Sequence, residues 1–367
     1  MTTAGYLWRA AARRSWRQAL LVALIGGLLG AVALGAVAGA RRTDTAYGRY
    51  LAASRSSDVF VNVPGILPGM PVLRPISMIS SLPGVVSHAA YVGVFANPVV
   101  HGHIDHSFLT NGLNCSLDGE WFTQDRMTVL AGHLPRLDST GEIVLTPAIA
   151  RMFGTGVGGH VTYAYSRVGP DGQPTGRPFT HTYRVAAIAE VPPALVDESD
   201  QAEGGTLPPG ATRQVLGGYS YAWVGLRLAH GPAGVPRLEQ ELAQLTTSLQ
   251  RQIRQATHQD VSDLTFPVSR PDVIHSQVQQ AIRPDAAALT IFGLAAALAL
   301  LVLVGQGLAQ MLSRTAPDIA VVRALGATRA QAAVAASLPG LVSVVGALVL
   351  AVAGAVAVSP LAPVGPV

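Results

Sequence analysis

Apolar residues along this chain fall into three long uncharged runs separated by one long mixed stretch. The runs cover residues 19–40, 286–312 and 332–358. At 1.5 Å of rise per residue, even the shortest spans roughly 30 Å as a helix, the thickness of one hydrocarbon core. Each is expected to be a transmembrane helix. Between the first two lies a segment, residues 41–285, patterned as a folded domain. Residues 43–54 read as a helical continuation of the first span. Residues 57–63 alternate as a strand and end at Pro64-Gly65, residues 72–82 suit a helix stopped at Pro83-Gly84, and residues 85–94 return to strand. That is a β-α-β pattern.

The middle, about residues 97–220, is rich in Gly, Pro and Thr. Strands are expected at residues 128–130, 142–146, 160–165 and 183–189, with turn signals between them, and a loop at residues 192–210. A strand at residues 223–228 follows. Leu238, Leu242, Leu245, Leu249 and Ile253 then recur at 4-3-4-4 spacing, which predicts an amphipathic helix facing a core. Another strand is expected at residues 261–268, and residues 272–283 lead into the second span. The expected fold class is α+β: transmembrane helices plus an extracytoplasmic α/β subdomain carrying a β-rich insertion.

Composition supports this division. Charged residues make up only 13% of the chain, against roughly 25% in soluble domains, so the deficit is concentrated in the three runs. Every basic residue is Arg, and the net charge is +4. No basic stripe with interleaved aromatics occurs, which leaves nucleic-acid binding without support. The arginines set an expected orientation. Arg9, Arg13, Arg14 and Arg17 precede the first span, and Arg314, Arg323 and Arg329 lie between the second and third. By the positive-inside rule both regions are cytoplasmic. Residues 1–18 and 313–331 are then inside, residues 41–285 and the tail 359–367 outside, and the protein is multi-pass in the cell membrane. Arg41 and Arg42 oppose this, but they open a long domain of the kind that crosses regardless of charge. Arg13-Arg14 and Ala36-Val37-Ala38 also fit a cleaved twin-arginine signal, although the apolar run exceeds a 7–15-residue signal core. Paired glycines, Gly26 with Gly30 and Gly35 with Gly39, suit close approach of a neighbouring helix.

Catalytic patterns are missing. The chain contains no G-x-x-x-x-G-K-[ST], H-E-x-x-H or G-x-S-x-G sequence. His101, His103 and His106 are weak metal-ligand candidates, since three imidazoles on a strand and its turn could hold a divalent ion; the alternative is a polar loop. Asp197-Glu198-Ser199-Asp200 reads as a solvated loop. A single cysteine, Cys115, cannot form an internal disulfide and reads as a small half-buried residue. No cofactor is expected.

Between the second and third spans, Pro317 and Asp318 suit the first turn of a helix. Ile319, Val322 and Leu325 share a face, Gly326 permits a left-handed stop, and Thr328 can cap the next helix. A short amphipathic helix in the membrane surface is expected. The run Val322-Arg323-Ala324-Leu325-Gly326-Ala327-Thr328-Arg329, with Gln331, resembles the signature loop of the FtsX-like permease family of ABC transporters, which includes MacB and the lipoprotein-release permeases. Glu120-Trp121-Phe122, Ala131-Gly132-His133-Leu134-Pro135 and Glu142 through Ala150 resemble a MacB-like periplasmic core domain. The resemblance implies a non-catalytic membrane subunit. A separate cytoplasmic ABC ATPase would dock on a coupling helix carrying Asp318, Val322, Arg323, Leu325 and Gly326. It also implies a second permease copy or homologous half, a lipid environment, and a role in export, lipid or lipoprotein release, or mechanotransmission. Two features depart from the family. Ala316-Pro317-Asp318 stands where a basic-acidic pair is common, and a family unit has four spans where three are seen, so a fourth is expected beyond Val367 or from another chain. A membrane-anchored sensor or scaffold without an ATPase is the alternative reading.

Overall fold

The computed structural model describes residues 3–64, 67, 70, 73–105, 113–169, 174–191, 205–258, 260–324 and 328–358. It is built from two compact units, residues 50–277 and residues 1–49 with 278–367.

The second of these is helical. Helix α1 runs from Thr3 to Ser54, α6 from Pro271 to Ala324 and α7 from Arg329 to Val358; α1 and α6 each continue into the other unit. All three contain stretches long and apolar enough to cross a membrane, Trp16–Ser54, Ile282–Arg314 and Gly340–Val358. Their outward faces are apolar: Leu298, Leu301, Leu348 and Val349 are each more than 60% exposed. In water such a surface would be costly, whereas in lipid it is the matching one.

The expected short helix in residues 313–331 is not separate. Residues 313–324 continue α6 without a break, and Pro317 sits in the helix interior instead of at a first turn. Ser313-Arg-Thr-Ala316 contains charge but no Gly or Asn to stop a helix, so propagation continues through it. Thr328 does precede the next helix, and its carbonyl accepts from the Ala332 amide at 3.0 Å.

The sheet domain opens with β1 (Val59–Val63), α2 (Leu73–Ser80) and β2 (Val85–Val94), as the alternation predicted. Next come β3 (Ala96–Val100), β4 (His103–Ile104), β5 (Leu113–Ser116), β6 (Thr128–Gly132), β7 (Glu142–Leu145), α3 (Pro147–Met152), β8 (His160–Val168) and β9 (Pro174–Glu190). The domain ends with β10 (Thr206–Leu207), α4 (Pro209–Val215), β11 (Tyr219–Leu228), α5 (Val235–Thr257) and β12 (Val268–Ser269). One sheet holds the order β12-β1-β11-β2-β5-β10-β7-β9-β8-β3-β4, with β6 paired to β9. Strand β11 lies between β1 and β2 and is antiparallel to both. The first three elements are thus a split βαβ unit, and the β-rich insertion extends the same sheet.

Alternation divides the side chains between two faces. On one, Val59, Val61 and Val63 join Ala90, Val92 and Val94 in a core closed by Ile76 and Ile79 of α2. The predicted stripe of α5 packs there too: Leu238, Leu242, Leu249 and Ile253 are buried and Leu245 is partly so. The other face carries a smaller cluster of Tyr91, Trp121, Phe122, Met127, Val144, Ala187 and Ala189. Two expectations fail. Residues 261–268 form a strand only at Val268, because Leu264 and Phe266 are drawn into the core without ladder pairing. Part of the expected loop 192–210 is ordered as β10 and the start of α4, and the rest lies outside the described residues.

Candidate functional site

The structurally distinctive site is the junction where α1 enters the sheet domain. Ser54 ends the helix, and Arg55 follows in the left-handed region at φ 56°. The chain then turns through Ser56, Ser57 and Asp58 into β1. Facing it is the loop between β5 and β6, which folds tightly on itself. The Gly119 carbonyl accepts from the Phe122 and Thr123 amides at 3.0 and 2.7 Å, and the Trp121 carbonyl accepts from Met127 at 3.0 Å. This winding requires positive φ at Gly119 (133°), Trp121 (64°) and Asp125 (47°). Glycine adopts that region freely; a Trp and an Asp held there cost of order 1–3 kcal/mol each unless the surroundings hold them.

They are held by a buried polar network. The Ser57 amide donates to Asp125 Oδ1 at 2.8 Å, and the Ser57 hydroxyl donates to Asp125 Oδ2. The Arg126 amide donates to the Ser54 carbonyl at 2.9 Å. Gln124 uses all of its side chain: Nε2 donates to Ser57 Oγ at 2.9 Å and to the Gly225 carbonyl at 3.0 Å, while Oε1 accepts from Ser87 at 2.8 Å. Asp118 accepts from the Ala90 amide at 2.7 Å and sits 3.5 Å from His88 Nε2. The loop is therefore fastened to α1, β2 and β11 together.

Glu120 is the anomaly. It is fully buried against the aromatic cluster, where Tyr91 and Trp121 have ring centroids 4.3 Å apart. Neither of its carboxyl oxygens has a hydrogen-bond partner of regular geometry, yet Asp125 is near enough to act on it by charge and as a proton acceptor. An ionised carboxylate there would be uncompensated, so the carboxyl is neutral. Burial, reinforced by the charges of Asp125 and Asp118, pushes it well above the usual carboxylate range. Burial also raises Asp125 to about 6, against the opposing bonds from Ser57. Burial raises Asp118 as well.

A second tether meets the same strand. β12 pairs with β1 through Phe60–Ser269 and Val61–Val268, and the Asn62 amide donates to the Pro267 carbonyl at 2.8 Å. A single residue, Arg270, separates β12 from α6; its guanidinium meets Glu239 at 2.8 Å. α1 thus runs into β1 through four residues, and α6 follows β1's edge partner β12 after one.

The residues anticipated from sequence are distributed unevenly. A Cβ on Gly26 would lie 3.1 Å from Ala347 and 3.2 Å from Val304, and one on Gly30 would lie 2.7 Å from Ala351, so both glycines sit in helix contacts. Gly39 is buried. A Cβ on Gly35 would meet no atom within 4 Å among the described residues. His101 occupies the two-residue turn of the β3–β4 hairpin with Gly102, both at positive φ, the geometry such hairpins favour. His103 lies on β4, both histidines are exposed, and His106 lies outside the described residues. Among the described residues no group of three His, Cys, Asp or Glu could hold a metal ion. Cys115 is fully buried, deeper than expected. Asp318, Val322 and Arg323 lie in the last turns of α6, with Arg323 exposed; Leu325, Gly326 and the 197–200 acidic run lie outside the described residues. Sequence reading missed the junction itself. Its one local signal was two acids, Glu120 and Asp125, around Trp121-Phe122 just after a glycine.

No family model matches the chain, and no curated protein does. Among solved structures it is similar to a domain of a "putative Permease protein" from Porphyromonas gingivalis, at 12% identity and a TM-score of 0.31, over 53% of this chain and 85% of that one. A likeness of that size assigns neither fold nor function.

Proposed function

We propose that the chain is the non-catalytic membrane subunit of an ABC-type transporter, carrying ATPase-driven motion across the membrane to the sheet domain. The observation that carries this reading is the double attachment at the paired strands β1 and β12. One helix with a membrane-spanning stretch leads into β1 through four residues, and the other leaves β12, the strand paired to β1, after one. Displacement of either helix along its axis would load the sheet directly, because connectors this short leave little slack. A tethered sensor would need only one such attachment.

The loop 322–331, with its resemblance to the FtsX-like signature, supplies the handle. Arg9, Arg13, Arg14 and Arg17 lie on the same side as Arg314, Arg323 and Arg329, which makes that side cytoplasmic by the positive-inside rule. The sheet domain is then extracytoplasmic, and the end of α6 faces a cytoplasmic ATPase that carries the phosphate loop this chain lacks. A second permease copy or homologous half completes the assembly in the cell membrane. The work done outside is export, release of lipid or lipoprotein, or mechanotransmission. The test is co-purification with an ABC-type ATPase from native membranes. Replacing Leu325 and Gly326 by Asp is expected to abolish association and leave the thermal transition of the sheet domain unchanged. Undiminished co-purification would reject the coupling role and favour the sensor reading.

A further inference from the structure

Glu120 and Asp125 are a buried pair with unequal surroundings. Asp125 accepts two regular hydrogen bonds from Ser57, with the Ser56 hydroxyl and the Glu120 carboxyl also near enough to act on it as donors, whereas no donor meets Glu120. Gln124 cannot serve Glu120, since both of its amide hydrogens are committed elsewhere. The neighbouring Trp121 Nε1 is buried and likewise without a partner. The groups around the pair offer little positive charge. From its own loop comes Asp118, from β2 His88 paired to that aspartate, and from α1 Tyr50, within electrostatic reach of Asp125 and of Glu190 at the end of β9. Arg126 follows Asp125 in sequence and Arg55 lies two residues before Ser57, and both are exposed.

We infer that Glu120 and Asp125 form a proton-operated latch that fastens the end of α1 to the sheet domain and tightens as the surrounding medium becomes acidic. The direction is opposite to that of a carboxylate paired with a cation. Groups whose folded-state proton affinity is raised bind more protons folded than open, so the closed state gains as pH falls. For Asp125 the window runs from its ordinary 3.8 up to about 6. Protonation leaves the pair neutral in its apolar corner while the Ser57 amide keeps a carbonyl oxygen to donate to. As pH rises through the window the corner takes on a charge it solvates poorly, and Ser54–Ser57 is freed from the loop more often. The inference does not depend on an ATPase partner.

Hydrogen exchange on the full chain in lipid nanodiscs tests it, read at the amides of Ser57 and Arg126 and corrected for intrinsic exchange. Protection is expected to rise about tenfold between pH 7 and pH 5, the ratio a shift from 3.8 to about 6 gives for a local opening. Amides in the α5 segment serve as the internal reference and stay level. Asp125→Asn removes the titrating group and should flatten the profile. Ser57→Ala removes a donor that favours the ionised form, so the midpoint should move above that of the parent, which loss of packing alone would not cause. Level or falling protection of the parent protein on acidification overturns the latch, whether or not either variant folds. So does an unmoved midpoint in Ser57→Ala.

Discussion

The helical unit and the sheet domain use apolar residues in opposite ways. In the sheet domain large side chains are hidden: Leu145, Tyr163, Leu226 and Leu249 have essentially no exposed surface. In the helical unit many large side chains face outward, and the close contacts between helices include small residues such as Gly26, Gly30, Ala347 and Ala351. The solvent explains the inversion. Water drives Leu inward, while lipid is as apolar as Leu, so helices associate by close backbone approach at small residues. A given substitution should therefore have different costs in the two regions.

The largest contrast is between two leucines. Leu226 is central in β11, paired to β1 on one side and β2 on the other. Leu226→Ala is expected to lower the stability of the sheet domain by about 3 kcal/mol, the usual loss for a buried leucine in a packed core. Leu301 is 71% exposed in the second span, and Leu301→Ala should change stability by less than about 0.5 kcal/mol. Thermal melts in detergent, followed by the fluorescence of Trp121 and Trp223, measure both. Leu301→Arg supplies the converse. It should leave the melt of the sheet domain intact but reduce membrane insertion by about 3 kcal/mol of apparent free energy, read as the fraction integrated in a glycosylation-mapping assay. An unaffected integrated fraction would mean that the residue does not face hydrocarbon.

How much of this contrast was readable in the chain itself differs by region. The three spans were legible because hydrophobic length alone specifies them. So were β1, α2, β2 and the α5 stripe, whose periods of 2 and 3.6 match the faces they bury. Strands β5 and β10 were not: Leu113–Ser116 and Thr206–Leu207 are too short for a period and are held by pairing to partners distant in sequence. The strand expected at 261–268 reversed this error, since apolar residues there serve packing without pairing. The junction was least legible. Glu120 looks like any surface acid in sequence, and its burial arises only when Ser57, Ser87 and Gly225 converge on Gln124. Continuity of α6 through Pro317 was hidden because proline usually marks a helix start or stop, yet here it removes a single hydrogen bond and no Gly or Asn follows before Gly326 to end the helix.

Glycine sharpens the comparison at intermediate cost. A Cβ on Gly225 would lie 2.5 Å from the Ser57 hydroxyl and 2.8 Å from Phe60, inside the junction, while one on Gly30 would lie 2.7 Å from Ala351. Gly225→Ala and Gly30→Ala are both expected to cost about 1–3 kcal/mol by overpacking. The readouts should separate, however. Gly225→Ala should lower the melting transition of the sheet domain and the exchange protection of Ser57. Gly30→Ala should leave both in place and weaken the association of α1 with α7, measured by disulfide trapping between introduced cysteine pairs. Gly35→Ala, with open space around it, should be silent in every assay. Equal effects at Gly30 and Gly35 would mean that composition alone, and not packing, put glycine in the first span.

The smallest expected effect concerns the ion pair beside the second tether. Arg270 and Glu239 are about two-fifths exposed, and their charged atoms lie 2.8 Å apart. A partly solvated pair of this kind contributes roughly 0.2–1 kcal/mol, because water screens the attraction and two long side chains lose freedom to meet. A double-mutant cycle of Arg270→Ala and Glu239→Ala should place the coupling at the low end of that range and reduce it further in high salt. This follows from the geometry of the tether, in which backbone pairing of β12 to β1 holds the chain up to Ser269 and the ion pair adds only a side-chain bond from α5 to the next residue. A coupling well above 1 kcal/mol would show that the pair is more dehydrated than its exposure implies. The route from α6 into the sheet domain would then run through α5 as well as through β1.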